Sequence, residues 1–167
     1  MNDYFTYLIE LLDKEMATFR LMLAALEAEQ KALIDNDVTG LGETVETQKA
    51  LVQRAATQEQ ARVKIIQQMA PMLQEDPKTL TLRRLIELAD ASFAERLSAQ
   101  REELLNYQDR LRQTNRQNSV LIKQSMKYVD KSLLILTGGS PMGNRYGKSG
   151  KADASQASLQ GVVNQVA

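Results

Sequence analysis

The sequence predicts an all-α protein: an elongated antiparallel bundle of three long helices, with a short extra helix and a flexible C-terminal tail. Three observations predict it. Apolar residues recur at three- and four-residue steps over long stretches, the pattern of amphipathic helices. Ala, Leu, Glu, Gln, Lys and Arg abound while Tyr and Phe number only 5 and 3, which points to long helices around a thin core. Of the 8 glycines, all but Gly40 and Gly42 lie after Thr137, where Ser, Ala and Gln also gather. That composition reads as a tail, so the expected domains are a bundle over residues 1–137 and a tail over 138–167.

The first helix is expected from Asn2 to about Asn36, carried by Phe5, Leu8, Leu12, Met16, Phe19, Met22, Leu23, Leu26 and Leu33. "DNDVTG" then interrupts it with side chains that favour turns and caps. So short a turn folds the next helix back antiparallel. The second helix is expected from about Val38 to Ala70 on a stripe of Leu41, Val45, Val52, Ala56, Val63, Ile66 and Met69, with Pro71 and Pro77 bracketing its end. A short helix around Leu80 to Leu88 follows, with Thr79 the expected cap.

From Ala91 to Leu136 there is neither proline nor glycine. A heptad can be counted there: Phe93, Leu97, Gln100, Leu104, Tyr107, Leu111, Thr114, Asn118, Leu121, Ser125, Tyr128. The seam is apolar at first, turns polar around Thr114 and Asn118, and is then joined by a second apolar stripe of Ile122, Met126, Val129, Leu133 and Leu136. This face is wider than a two-helix seam requires. It either covers the other two helices or forms the lip of a groove for a partner's amphipathic helix.

Composition also excludes functions. The chain has 21 basic and 21 acidic residues, so net charge gives no reason to expect nucleic acid as a partner. With no cysteine and no histidine, thiol catalysis, zinc-thiolate sites and the usual general base are absent. Neither a signal peptide nor a membrane span is legible, and a cytoplasmic location is expected. "GNRYGKSG", residues 143–150, ends like a phosphate-binding loop, but Met142 stands where the first glycine is needed, and no strand precedes it. Enzymatic activity, a cofactor, a metal and a small-molecule substrate are therefore not expected.

Two stretches resemble a known family. "LMLAALEAEQKALIDNDVTGLGETVETQKALV", with Leu26, Glu29, Gln30, Ala32, Leu33, Asp37, Leu41, Lys49 and Leu51, resembles the N-terminal pattern of FlgN-type flagellar export chaperones. "NRQNSVLIKQSMKYVDKSLLILTGG" resembles the family's later pattern, with Asn115 and Asn118 before Leu121-Ile122, and Tyr146-Gly147 following in the tail. The resemblance implies a cytoplasmic type III export chaperone in bacterial flagellum assembly. Its clients would be the C-terminal helical segments of the hook-filament junction proteins FlgK and FlgL. By the same resemblance the tail, through Tyr146, would dock on the export-gate component FlhA. Client contact is expected at Leu121, Ile122, Met126, Val129, Leu133 and Leu136, with Asn115 and Asn118 as polar register markers; the same asparagines could instead serve inside the bundle. The alternative function is a structural coiled-coil adaptor whose apolar face makes a homodimer.

Overall fold

Four helices make up the described part of the molecule: α1 (Asn2–Asp35), α2 (Val38–Met72), α3 (Leu82–Leu88) and α4 (Ala91–Leu136). The structure, a computed structural model, describes residues 1–136, and for residues 133–136 the helix without the side chains. No strand occurs among the described residues. The chain divides into two compact units, Met1–Met126 and Lys127–Ala167. Helix packing as described below belongs to the first.

The link between α1 and α2 is built from two residues with opposite talents. Asn36 takes the left-handed conformation at φ 54°, which asparagine tolerates better than most residues, and its amide donates to the Ala32 carbonyl. Asp37 then caps α2, its Oδ1 accepting from the Gly40 amide at 2.9 Å. A Cβ at position 40 would collide with that carboxylate, so glycine leaves room for the cap. Gly42 has no such duty. Nothing lies within 4 Å of the place its Cβ would occupy, and the residue is helical. Gly42→Ala is therefore expected to stabilise the protein by about 0.5–1 kcal/mol, read as a raised midpoint in urea at unchanged slope.

Hydrogen bonds fix the helix directions. Gln48 reaches Glu29, Gln58 reaches the Lys14 carbonyl and Arg62 reaches Glu15, so α2 returns antiparallel along α1. Gln100 meets Ile9 and Asn118 meets Leu26, so α4 runs in the same direction as α1. Between them α1 is the central helix, buried at Phe5, Leu8, Ile9, Leu11 and Leu12 and again at Leu23, Ala25 and Leu26. The apolar core gathers at its N-terminal half, where Ile65, Met69, Leu85 and Leu97 meet it. Phe5 stacks on Phe93 there at 5.4 Å between ring centroids. At 0–7 % exposure the buried ones among these side chains supply the main driving force, about 1.5–3 kcal/mol for each large one.

Two details depart from the sequence expectation. Thr81, not Thr79, caps α3: its Oγ1 accepts from the Arg84 amide at 3.2 Å. Thr79 belongs instead to a turn closed by Asp76, whose carbonyl accepts from the Thr79 hydroxyl and amide. The stripe on α2 is also shifted. Val45, Val52 and Val63 are exposed, and the face toward α1 is Leu41, Thr44, Gln48, Leu51, Ala55, Gln58, Arg62, Ile65 and Met69. Those nine positions step by three and four, and Gln48, Gln58 and Arg62 among them find partners on α1, which is why apolar periodicity alone picks the neighbouring stripe.

On α4 the counted heptad holds. Its positions from Phe93 to Ser125 are all buried or half-buried, while most residues between them are exposed. Tyr128 breaks the series at 76 % exposure.

Candidate functional site

Among the described residues no group of three His, Cys, Asp or Glu could hold a metal ion, and no helix is long and apolar enough to cross a membrane. The chemistry of this molecule lies in its surfaces and in the polar contacts that set their register.

Asn118 is the first of these contacts. It is 1 % exposed, and its Nδ2 donates to the Leu26 carbonyl and to Glu29 Oε2, each at 2.8 Å. The same Glu29 oxygen accepts from Gln48 Nε2 at 3.1 Å. One buried carboxylate thus joins α1, α2 and α4. Sliding α4 by one turn would strand this oxygen and the asparagine together, so the node selects one alignment at some cost in stability. Gln100 repeats the device one level down, donating to the Ile9 carbonyl at 3.0 Å and to Asp13 at 2.6 Å.

A third contact carries charge. Glu15 is buried on α1 and accepts from Arg62 Nε at 3.2 Å, while the other end of the guanidinium pairs with Glu59. Burial pushes the Glu15 carboxyl above its ordinary range; Arg62 pulls the other way and loses.

The expected client residues fall on two faces. Asn118 and half-buried Leu121 belong to the seam with α1. As a register marker, Asn118 acts between α4 and α1. Asn115 and Ile122 point to solvent, and so does Met126 at 56 % exposure. In the second unit Val129 is 57 % exposed. Ile122 and Met126 are spaced by four residues, which places them on one side of α4. The side chains of Leu133 and Leu136, and Tyr146 altogether, lie outside the described residues.

Sequence reasoning missed a second apolar surface, a groove between α2 and α4 floored by α1. Its sequence signal is the stripe of Val52, Ala56 and Ile66 on α2, whose spacing reads equally as a packed helix face. Glu29 and Gln48 were missed as a linked pair because nothing in one sequence says which polar residues meet.

A family model described as FlgN protein matches residues 1–154 of the chain. No curated protein and no solved structure matches it.

Proposed function

The chain belongs to the FlgN family, and so at family level is a flagellar export chaperone rather than an enzyme; from that premise we propose that it binds the C-terminal helical segments of FlgK and FlgL in the cytoplasm and delivers them to the type III export gate. The client surface in this reading is the outward side of α4: Asn115, Ile122, Met126, Val129, and further on Leu133 and Leu136. The observation that carries it is the exposed apolar pair Ile122 and Met126 on a helix whose inner seam is already engaged with α1. Apolar side chains at these steps offer a client helix the ridge it needs, and methionine adapts to more than one client. Neither holding nor release asks for a catalytic group. Tyr146 and the residues around it would meet FlhA.

Calorimetric titration with peptides from the C-terminal ends of FlgK and FlgL tests this. The expected result is saturable one-to-one binding with a negative heat-capacity change. The double variant Val129→Asp, Leu133→Asp is expected to lose that binding with an unchanged helical spectrum. Deleting residues 138–167 is expected to keep client binding and lose FlhA docking. Unchanged client affinity in the aspartate variant would move the surface elsewhere. A dimer that persists at nanomolar protein and ignores both peptides would instead make the chain a self-associating adaptor.

A further inference from the structure

The groove between α2 and α4 has a volume of about 1000 Å³. Its floor is α1, at Leu8, Leu12, Glu15 and Phe19, and α3 closes one end with Leu82 and Leu85. Both walls present apolar side chains that the packing of the three helices leaves over. On α2 these are Val52, 57 % exposed, with Ala56 and Ile66 on the same stripe; on α4 Leu105, 44 % exposed, stands beside half-buried Leu104 and Leu111. The α2 stripe lies beside the seam toward α1: Ile66 packs partly against the core, while Val52 and Ala56 stay exposed. From Arg101 to Arg112 the α4 wall is about 16 Å long, room for about three turns of a guest helix.

Charge says what kind of guest. Two carboxylates reach the groove, Glu15 and Glu59, and Arg62 engages both. That leaves the rim to Arg83, Arg101 and Arg112. Arg83 is held loosely by Glu87 at 3.6 Å, and among the described residues neither Arg101 nor Arg112 makes an ion pair. An apolar trough with a basic rim suits an amphipathic helix flanked by acids. The chain's own remainder is a poor match: residues 138–167 carry Arg145, Lys148 and Lys151 against Asp153 alone. A second copy's Lys127–Leu136 segment is no better, with Lys127 and Lys131 against Asp130.

We propose that this groove is a docking site for a separate protein partner: an amphipathic helix whose apolar stripe enters between Val52 and Leu105 and whose flanking Glu or Asp residues meet Arg101 and Arg112. It is distinct from the client surface on α4, and each can fail without the other.

The test uses the full chain and two fluorescein-labelled synthetic helices, one with leucines at i, i+3, i+4 and i+7 flanked by glutamates, the other identical but flanked by lysines. Fluorescence anisotropy is expected to show saturable binding of the glutamate peptide, tighter than its lysine twin by about tenfold or more. Arg101→Glu with Arg112→Glu, both exposed and so compatible with folding, is expected to reverse the preference. Leu105→Glu is expected to abolish binding, while Val129→Asp leaves it unchanged. Equal affinity for both peptides, or indifference to Leu105→Glu in a folded protein, overturns the proposal. So does loss of binding in Val129→Asp, which would put the peptide on the client surface. Binding that appears only after residues 138–167 are deleted would make the chain's own tail the occupant. A dimer broken by Leu105→Glu would make it a second copy.

Discussion

Asn118→Asp is expected to cost about 3–5 kcal/mol at neutral pH, the range for a buried charge left without a partner. The change alters one atom's chemistry and almost no volume. It removes the amide that donates to Leu26 and Glu29 at 2.8 Å and sets a second carboxylate against the first. Neither oxygen has water to turn to, since position 118 is 1 % exposed. Urea unfolding measures the loss. The loss is expected to shrink as pH falls through the carboxylate range, because one proton shared between the two groups restores a donor. Asn118→Leu separates charge from packing: it leaves Glu29 with Gln48 as its donor and is expected to cost about 1–3 kcal/mol with little dependence on pH. A loss below about 0.5 kcal/mol in the aspartate variant would mean that the node does not hold α4.

Arg62→Met is expected to cost about 3 kcal/mol, because it keeps much of the side chain's apolar stem and takes away the cation that pairs with buried Glu15. Glu15→Gln should recover most of that loss in the double variant, since it removes the charge that had been left behind. On its own, Glu15→Gln carries a pH signature. The folded-state pKa of Glu15 lies above its unfolded value, so the stability this carboxyl contributes is fully present below the unfolded value and is lost as pH rises through the folded one. The variant is therefore expected to gain on the native chain as pH rises through that window and to match it in acid. Thermal midpoints across that window decide it; parallel curves would mean that Glu15 is hydrated in the folded state.

What the sequence could reveal follows from which side chains advertise their place. On α4, Gln100, Thr114, Asn118 and Ser125 sit in the counted seam because the apolar residues around them keep the beat, and the structure puts each of them inward. On α2 the beat is carried by Thr44, Gln48, Gln58 and Arg62 as much as by Leu51 and Ile65, and polar residues look like surface until their partners are known. For Gln48, Gln58 and Arg62 those partners are Glu29, Lys14 and Glu15, and no rule of spacing within α2 points to them. The cap at Thr81 was misplaced for a related reason: Thr79 and Thr81 have equal chemistry, and the turn at Asp76 decides between them. The pattern could not say which of two adjacent stripes on α4 faces α1: Ser125 turns inward while Met126 beside it turns out, because that depends on where α1 lies.

The direction of the helices also sets an order in time. Contacts between α1 and α2 close over sequence separations of 19 to 47 residues, whereas the bonds from α4 to α1 span 87 to 92. Short closures are made first, since their entropic cost is lower and their segments leave the ribosome sooner. The α1/α2 hairpin therefore waits with the α4-facing side of α1, at the Ile9 and Leu26 carbonyls, uncovered until about the hundredth residue has been synthesised and beyond. During that interval the nascent chain presents the same kind of bare amphipathic ridge that a chaperone exists to cover, and its own last helix is what covers it.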